Sequence, residues 1–190
     1  NNRTVEVLAS RRLQTLNALT AQSGAINGRE ALGQALAVLQ HAPDIVFAVA
    51  YQVAAAQHQV SLAGAVGLPV GSVLAPWMPA LEECIWPLAA LIRDRNPIHV
   101  QDLATRFPGQ PLGLVTPAGG AQSAVLQPLI DPMQERVTGI LILGLNPGVP
   151  LDDHYQAFLQ LVAETVAGRV AEAEAHARER ERLERLAELD

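Results

Sequence analysis

From Asp153 to Asp190 the chain has no proline, no asparagine and a single glycine, Gly168. Helices ordinarily close with Gly or Asn just past the last turn, or with Pro soon after. No such signal closes this one, and the last stretch, Arg178-Glu179-Arg180-Glu181-Arg182-Leu183-Glu184-Arg185-Leu186-Ala187-Glu188-Leu189-Asp190, is built of strong helix formers. A helix of roughly 37 residues spans about 55 Å, well past the width of a small domain, so its far half has no core of its own to lean on. Leu159, Val162, Val166, Val170, Ala173 and Ala177 form a stripe at 3-4 spacing that suits a parallel partner helix. Arg180 and Glu184 interrupt it, and Leu183, Leu186 and Leu189 resume in a shifted phase, which changes coiled-coil winding. Glu174 with Arg178 and Glu181 with Arg185 are i,i+4 pairs of supporting charge. The expectation is a parallel homodimer with the stripe as its seam. The opening Asn1-Asn2 and the unclosed final helix are what a module from a longer protein would show.

The rest of the chain supplies a core. The hydrophobic fraction is 49% and the charged fraction 17%, which argues for one folded domain and against disorder. Net charge is -6, and all 13 basic residues are arginine. The charge is scattered without a basic face, so a nucleic-acid partner is excluded as an expectation. Cys84 is the single cysteine; it allows no internal disulfide and fits a reducing compartment. No run reaches the roughly 18 apolar residues of a membrane span. The longest, Ile45 to Ala56, is too short and contains Gln52.

The pattern of elements is coarse but readable. Val5, Leu8, Leu13, Leu16 and Leu19 stripe a helix over Val5 to Gln22, ended by Ser23-Gly24, with Arg11 and Arg12 off the stripe. Leu32, Leu36 and Leu39 mark a second helix over Arg29 to Gln40, starting near Asn27 or Gly28, and Pro43-Asp44 breaks the chain. Ile45 to Val53 reads as a buried strand, β-branched and aromatic. His58 to Ala65 reads as its antiparallel neighbour. Residues 76–94 suggest one or two short helices, with Pro79 and Pro87 allowed in first turns. Pro97 to Leu103 reads as a short strand and turn, and Phe107 to Gly120 as loop. Gln122 to Ile130 and Val137 to Leu145 form the clearest hairpin, joined by the polar Asp131 to Arg136. Leu151-Asp152-Asp153-His154 opens the last helix, where acids suit the N-terminal dipole. Strands joined by short turns imply an antiparallel sheet covered by helices.

Most chemistries are absent from this pattern. His41, His58, His99, His154 and His176 show no metal-ligand spacing, and there is no Cys-x-x-Cys, so no metal is expected. No nucleophile elbow or phosphate-cradling Gly-x-x-x-x-Gly-Lys is present, and a chain without lysine has no lysine nucleophile. No catalytic residue and no cofactor is expected in this chain.

Ser123-Ala124-Val125-Leu126-Gln127-Pro128-Leu129, then Gly139-Ile140-Leu141-Ile142-Leu143-Gly144, then a loop and the helix from Tyr155 to Ala177, resemble the C-terminal half of a GAF domain. Pro97-Ile98-His99-Val100-Gln101-Asp102 resembles that family's middle strand, and Ala48 to Gly67 its first hairpin. The resemblance implies a three-layer α/β (α+β) fold with five or six antiparallel strands in the order 2-1-5-4-3, flanked by long terminal helices. It divides the chain into a connector helix at 1–24, a sensory domain at 25–170 and a coiled-coil linker at 171–190. In this family small ligands sit between the sheet and the irregular segments after the second strand. The resemblance therefore implies an unknown small molecule near Trp77, Met78, Cys84, Trp86 and Arg93, with His99, Ser123 and Gln127 added from facing strands. The simpler reading is that Trp77 and Trp86 plug the core. Cys84 is followed by Ile85, where photosensor members carry histidine, so no chromophore is expected. Methionine-sulfoxide reductases of this fold need more than one cysteine. The Asn-Lys-Phe-Asp-Glu signature of cyclic-nucleotide binders is missing.

The tail from Glu179 to Asp190 resembles the linker that runs into the phosphoacceptor helix of sensor histidine kinases, although no histidine box is present. What this implies is a cytoplasmic sensory module in a two-component phosphorelay, with a downstream kinase domain in the same chain. Regulation of a phosphatase or nucleotide cyclase, and a ligand-free dimerisation spacer, stay open.

Overall fold

The computed structural model describes residues 2–56, 59–113 and 116–189. The expected strand start at His58, and Leu114 and Val115 of the expected loop, lie outside the described residues. Five helices and five strands follow one another as α1 (Asn2–Ala21), α2 (Gly28–Leu39), β1 (Ile45–Val53), β2 (Val60–Val66), α3 (Leu88–Asp94), β3 (Ile98–Val100), α4 (Leu103–Arg106), β4 (Ala124–Ile130), β5 (Val137–Leu145) and α5 (Asp153–Glu188) among these residues. The strands form one antiparallel sheet in the order β2-β1-β5-β4-β3.

Local chemistry explains the boundaries. The Asn27 side chain accepts from the Glu30 backbone N–H at 2.9 Å, capping α2. Asp152 does the same for α5, accepting from Tyr155 N at 2.8 Å. In the β4–β5 connection, Asp131 Oδ1 accepts from the N–H groups of Met133 and Gln134 at 2.8 and 3.0 Å, an Asx-type turn. Between residues 76 and 94 only α3 is helical. The segment before it is a chain of turns, because Pro76, Pro79 and Pro87 remove the backbone donors a longer helix needs. The four-residue α4 was hidden in what reads from sequence as a turn.

Side-chain alternation gives the sheet two dry faces. Ala48, Ala50, Val125, Leu129, Leu141 and Leu143 pack toward α2 and α5. Val49, Tyr51, Leu126, Ile140 and Ile142 pack toward α3, α4 and the irregular segments. α1 lies on the helical side, with Leu19 in its core. Every residue of β5 is buried. Gly144 makes room for the Phe47 ring across the β1–β5 pair: a Cβ there would stand 2.1 Å from the ring.

Gly144→Ala should therefore cost about 1–3 kcal/mol of stability through overpacking, read as a lower urea midpoint with an unchanged slope. An unchanged midpoint would contradict this close approach.

Candidate functional site

The irregular face is closed by Trp86. Its side chain is fully buried, its indole Nε1 donates to the Leu74 carbonyl at 2.8 Å, and its ring meets Phe107 at a centroid distance of 5.3 Å. Leu74, Leu88, Leu91 and Leu103 complete the packing. Trp77 and Met78 are 57% and 66% exposed. Trp77 works through its backbone: its carbonyl accepts from Leu62 N at 2.8 Å, fastening the segment to β2. Tyr51 reaches the same segment, donating to the Pro76 carbonyl at 2.9 Å. Desolvation, with a further contribution from nearby Cys84, pushes the Tyr51 phenol far above its ordinary range.

Cys84 is half-buried. Desolvation raises its thiol pKa, and the backbone N–H groups of Trp86 and Ile85 only partly offset this. The group is a neutral thiol at pH 7, which suits a packing role better than a nucleophilic one. Arg93 is exposed and paired with Asp94 at 3.0 Å, and this hydrogen bond holds the Asp94 carboxyl below its usual range. Ser123 is half-buried, and its carbonyl accepts from Leu145 N at 3.0 Å.

His99 and Gln127 are on the other side of the sheet. Both line cavities against α5, together with Gln156 and Gln160. The eight residues expected around one ligand thus do not converge: Trp86 and Cys84 belong to the irregular face, His99 and Gln127 to the helical face, Trp77, Met78 and Arg93 to the surface, and Ser123 is half-buried just before β4. Among the described residues, no three of His, Cys, Asp and Glu gather into a metal-holding cluster.

The apolar stripe of α5 also lies elsewhere than expected. Leu159, Val162, Val166, Val170 and Ala173 are buried within one chain, against the sheet and α2, and Ala177 is half-buried at the end of the row. The expected seam residues are thus covered within the single chain. Glu174 likewise turns toward Arg136 (3.7 Å) instead of Arg178, whereas Glu181 and Arg185 do approach at 3.7 Å.

One polar constellation was not legible in the sequence. Asp44, at the turn before β1, is 2% exposed. It accepts from the guanidinium groups of both Arg11 and Arg12, the latter at 3.2 Å. The Arg12 guanidinium also lies over the rings of Tyr155 and Phe158, at 4.9 and 5.7 Å, within cation–π range. The Tyr155 hydroxyl donates to the Asp44 carbonyl and accepts from Asn146 N at 3.3 Å. Burial raises the Tyr155 phenol far above its ordinary range. The N-terminal helix, through the Asp44 carboxylate, and the first turn of the exit helix α5, through the Asp44 backbone carbonyl, are thereby held at the same buried residue. Removing a single partner from such a cluster strands the others.

The geometry so far defines an α+β domain with terminal helices joined at one polar node. The sequence profile described as GAF domain matches residues 30–170, and the chain belongs to the GAF domain family. Among solved structures it is similar to the GAF domain of an Acinetobacter phosphoenolpyruvate-protein phosphotransferase, at 14% identity and TM-score 0.60, covering 92% of this chain and 96% of that one. It is also similar to the corresponding domain from Coxiella burnetii (19%, TM-score 0.61, 88% and 95% covered). A third similar structure is the free methionine-R-sulfoxide reductase of Neisseria meningitidis (16%, TM-score 0.61, 92% and 93% covered). These identities carry the fold alone. No curated relative matches the chain.

Two outcomes follow from the geometry. Asp44→Ala should destabilise the domain by about 3–5 kcal/mol, the cost of leaving a buried cation unpaired. Arg11→Gln should cost much less, because Arg11 is more exposed than Arg12. Urea unfolding of the three proteins would show this order, and equal midpoints would contradict it. Alkylation of Cys84 by iodoacetamide should follow a titration midpoint above the ordinary thiol value of about 8.5; a midpoint at or below that value would contradict the burial of the thiol.

Proposed function

We propose that this chain is a catalytically silent regulatory GAF module that passes a conformational signal through α5 to an output enzyme, with a sensor histidine kinase as the output its tail fits best. The observation that carries the reading is α5 itself. Its 36 residues form one helix whose first half is core and whose last turns, with Leu183, Leu186 and Leu189, are exposed. A helix rooted in a core and extended beyond it transmits any change in that core along its axis. The Asp44 node adds a route for input, since it ties α1 to the start of α5. A kinase output of this kind works in the cytoplasm, and among the described residues no helix is long and apolar enough to cross a membrane.

The module acts as a parallel homodimer in this reading. Its contacts are the surfaces left outside the core: Val5 and Leu13 on α1, and Leu161, Leu183, Leu186 and Leu189 on α5, all exposed in the single chain. The packed Trp86 favours a second reading of the irregular face, as part of a spacer that takes no ligand there. The similar domain from an Acinetobacter phosphotransferase and a similar methyl-accepting chemotaxis protein segment (15% identity, TM-score 0.59, 86% and 98% covered) keep other outputs, including a phosphatase or a cyclase, in the same frame.

The experiment is a fusion of residues 1–190 to a histidine kinase core, with one to seven residues inserted after Glu181. Autophosphorylation should rise and fall with the helical period as the phase of the joint turns; output indifferent to phase would contradict transmission through α5. In the unfused chain, Leu183→Glu with Leu186→Glu should shift sedimentation toward monomer without lowering Tm. Equal sedimentation of parent and variant would contradict the proposed contacts.

A further inference from the structure

At the tip of the β4–β5 hairpin, one guanidinium nitrogen is shut off from water and has no partner. Arg136 donates its Nε to the Gln134 side-chain oxygen at 3.1 Å. Its Nη2 stands 3.7 Å from Glu174 of α5, beyond hydrogen-bond length. Its Nη1 is buried and donates to nothing among the described residues. A buried donor on a charged group is costly to leave unpaired. Arg136 also lines a groove of about 410 Å³, together with Arg93 and Arg95 from the end of α3. Leu81 and Ile92 give the groove an apolar wall, and Glu135 is the one acid that lines it. Arg93 is committed to Asp94, whereas the exposed Arg95 side chain has no ion pair or hydrogen bond among the described residues. The backbone is unusual at the same place. Among the described residues only Arg95, Asp102 and Glu135 hold a positive φ without being glycine, and two of these, Arg95 at 60° and Glu135 at 54°, line this groove. Arg95 takes the left-handed position at the end of α3, where glycine is the ordinary residue. Strained positions of this kind gather at sites where side chains are held for a guest.

We infer that the groove between the end of α3 and the β4–β5 hairpin binds a small anion, a carboxylate or a phosphate carried on a short apolar body. Guanidinium donors are planar and fixed, and they match the oxygens of either anion. Arg95 and Arg136 hold the donors that the fold does not use, while Arg93 stays with Asp94. Leu81 and Ile92 take the apolar body. Glu135 works against the guest by its charge, so the site is one of modest affinity that an exposed setting screens further. The groove also reaches the exit helix. The guanidinium that would hold the anion is the one that faces Glu174. The Glu174 side chain in turn lies over Gly28 at the start of α2, where an added Cβ would stand 2.6 Å from its carboxylate oxygen. Occupancy therefore draws Arg136 away from a carboxylate of α5, and the inference holds whichever output α5 serves.

The test is an NMR titration of the 190-residue chain, read at the arginine Nε–H resonances, with benzoate, phenyl phosphate and the neutral benzamide added separately into the millimolar range at low salt. The expected result is a saturable shift of Arg95 and Arg136 together, lost in about 1 M NaCl, where the Debye length falls to roughly 3 Å. Benzoate alone would assign a carboxylate, phenyl phosphate alone a phosphate, and both the shared anion. Arg95→Gln should weaken binding by about fivefold, and Glu135→Gln should strengthen it by about twofold. Arg95→Gly should lose the same affinity as Arg95→Gln while Tm holds or rises, because glycine accepts the left-handed backbone at that position. Neither anion moving the two arginines, benzamide binding as well as benzoate, or undiminished binding by Arg95→Gln would overturn the site. A fall in Tm on Arg95→Gly would show that the fold itself uses this side chain, and would overturn the site as well.

Discussion

The sheet of this domain has no face it can leave in water. β5 is buried along its whole length and β1 at all positions but Gln52, so both sides need an apolar cover. On one side the cover is α2 and the first half of α5; on the other it is the short helices α3 and α4 with the irregular segments, held down by Trp86. This requirement decides how the remaining surface is used. It turns the stripe of α5 inward, fills the irregular face with an indole, and leaves the edge strands β2 and β3 less covered than the centre of the sheet. Each apolar side chain of the α5 stripe contributes at about 25 cal/mol per Å² of surface removed from water. A helix with that much burial at its root is a stiff extension of the core.

The polar node at Asp44 complements the apolar layer. Hydrophobic burial is not directional, and alone it would let α1 slide over α5. Two guanidinium groups on one buried carboxylate, with Arg12 also over two rings of α5, fix the register of the two helices. The arrangement is sensitive by construction, because removing one charge strands another in a dry environment. Such a node suits a domain whose terminal helices carry information.

Much of the fold was legible in the residues. The β4–β5 hairpin stands out because two β-branched and leucine-rich runs flank a polar connection, and the last helix because nothing interrupts its pattern. The covering of the α5 stripe was not legible. A 3-4 row of Leu, Val and Ala is equally suited to a partner helix and to a sheet, and only the assembled sheet settles which it meets. The distribution of the candidate site residues over the two faces was not legible for a related reason. Val125, Gln127 and Leu129 share a face by the two-residue period of a strand, but β4 is apolar on both faces, so the period cannot say which face meets α5. The Asp44 node joins residues 33 apart in sequence, and a long-range ion pair leaves no local pattern.

The central claim is that the α5 stripe belongs to the core of each protomer. Val166→Asp tests it most directly, followed by circular dichroism on heating together with sedimentation. A carboxylate at this fully packed position should abolish the cooperative transition or lower Tm by well over 10 °C, from a cost of several kcal/mol. A variant that stays folded with the parental Tm and merely dissociates into monomers would contradict the account.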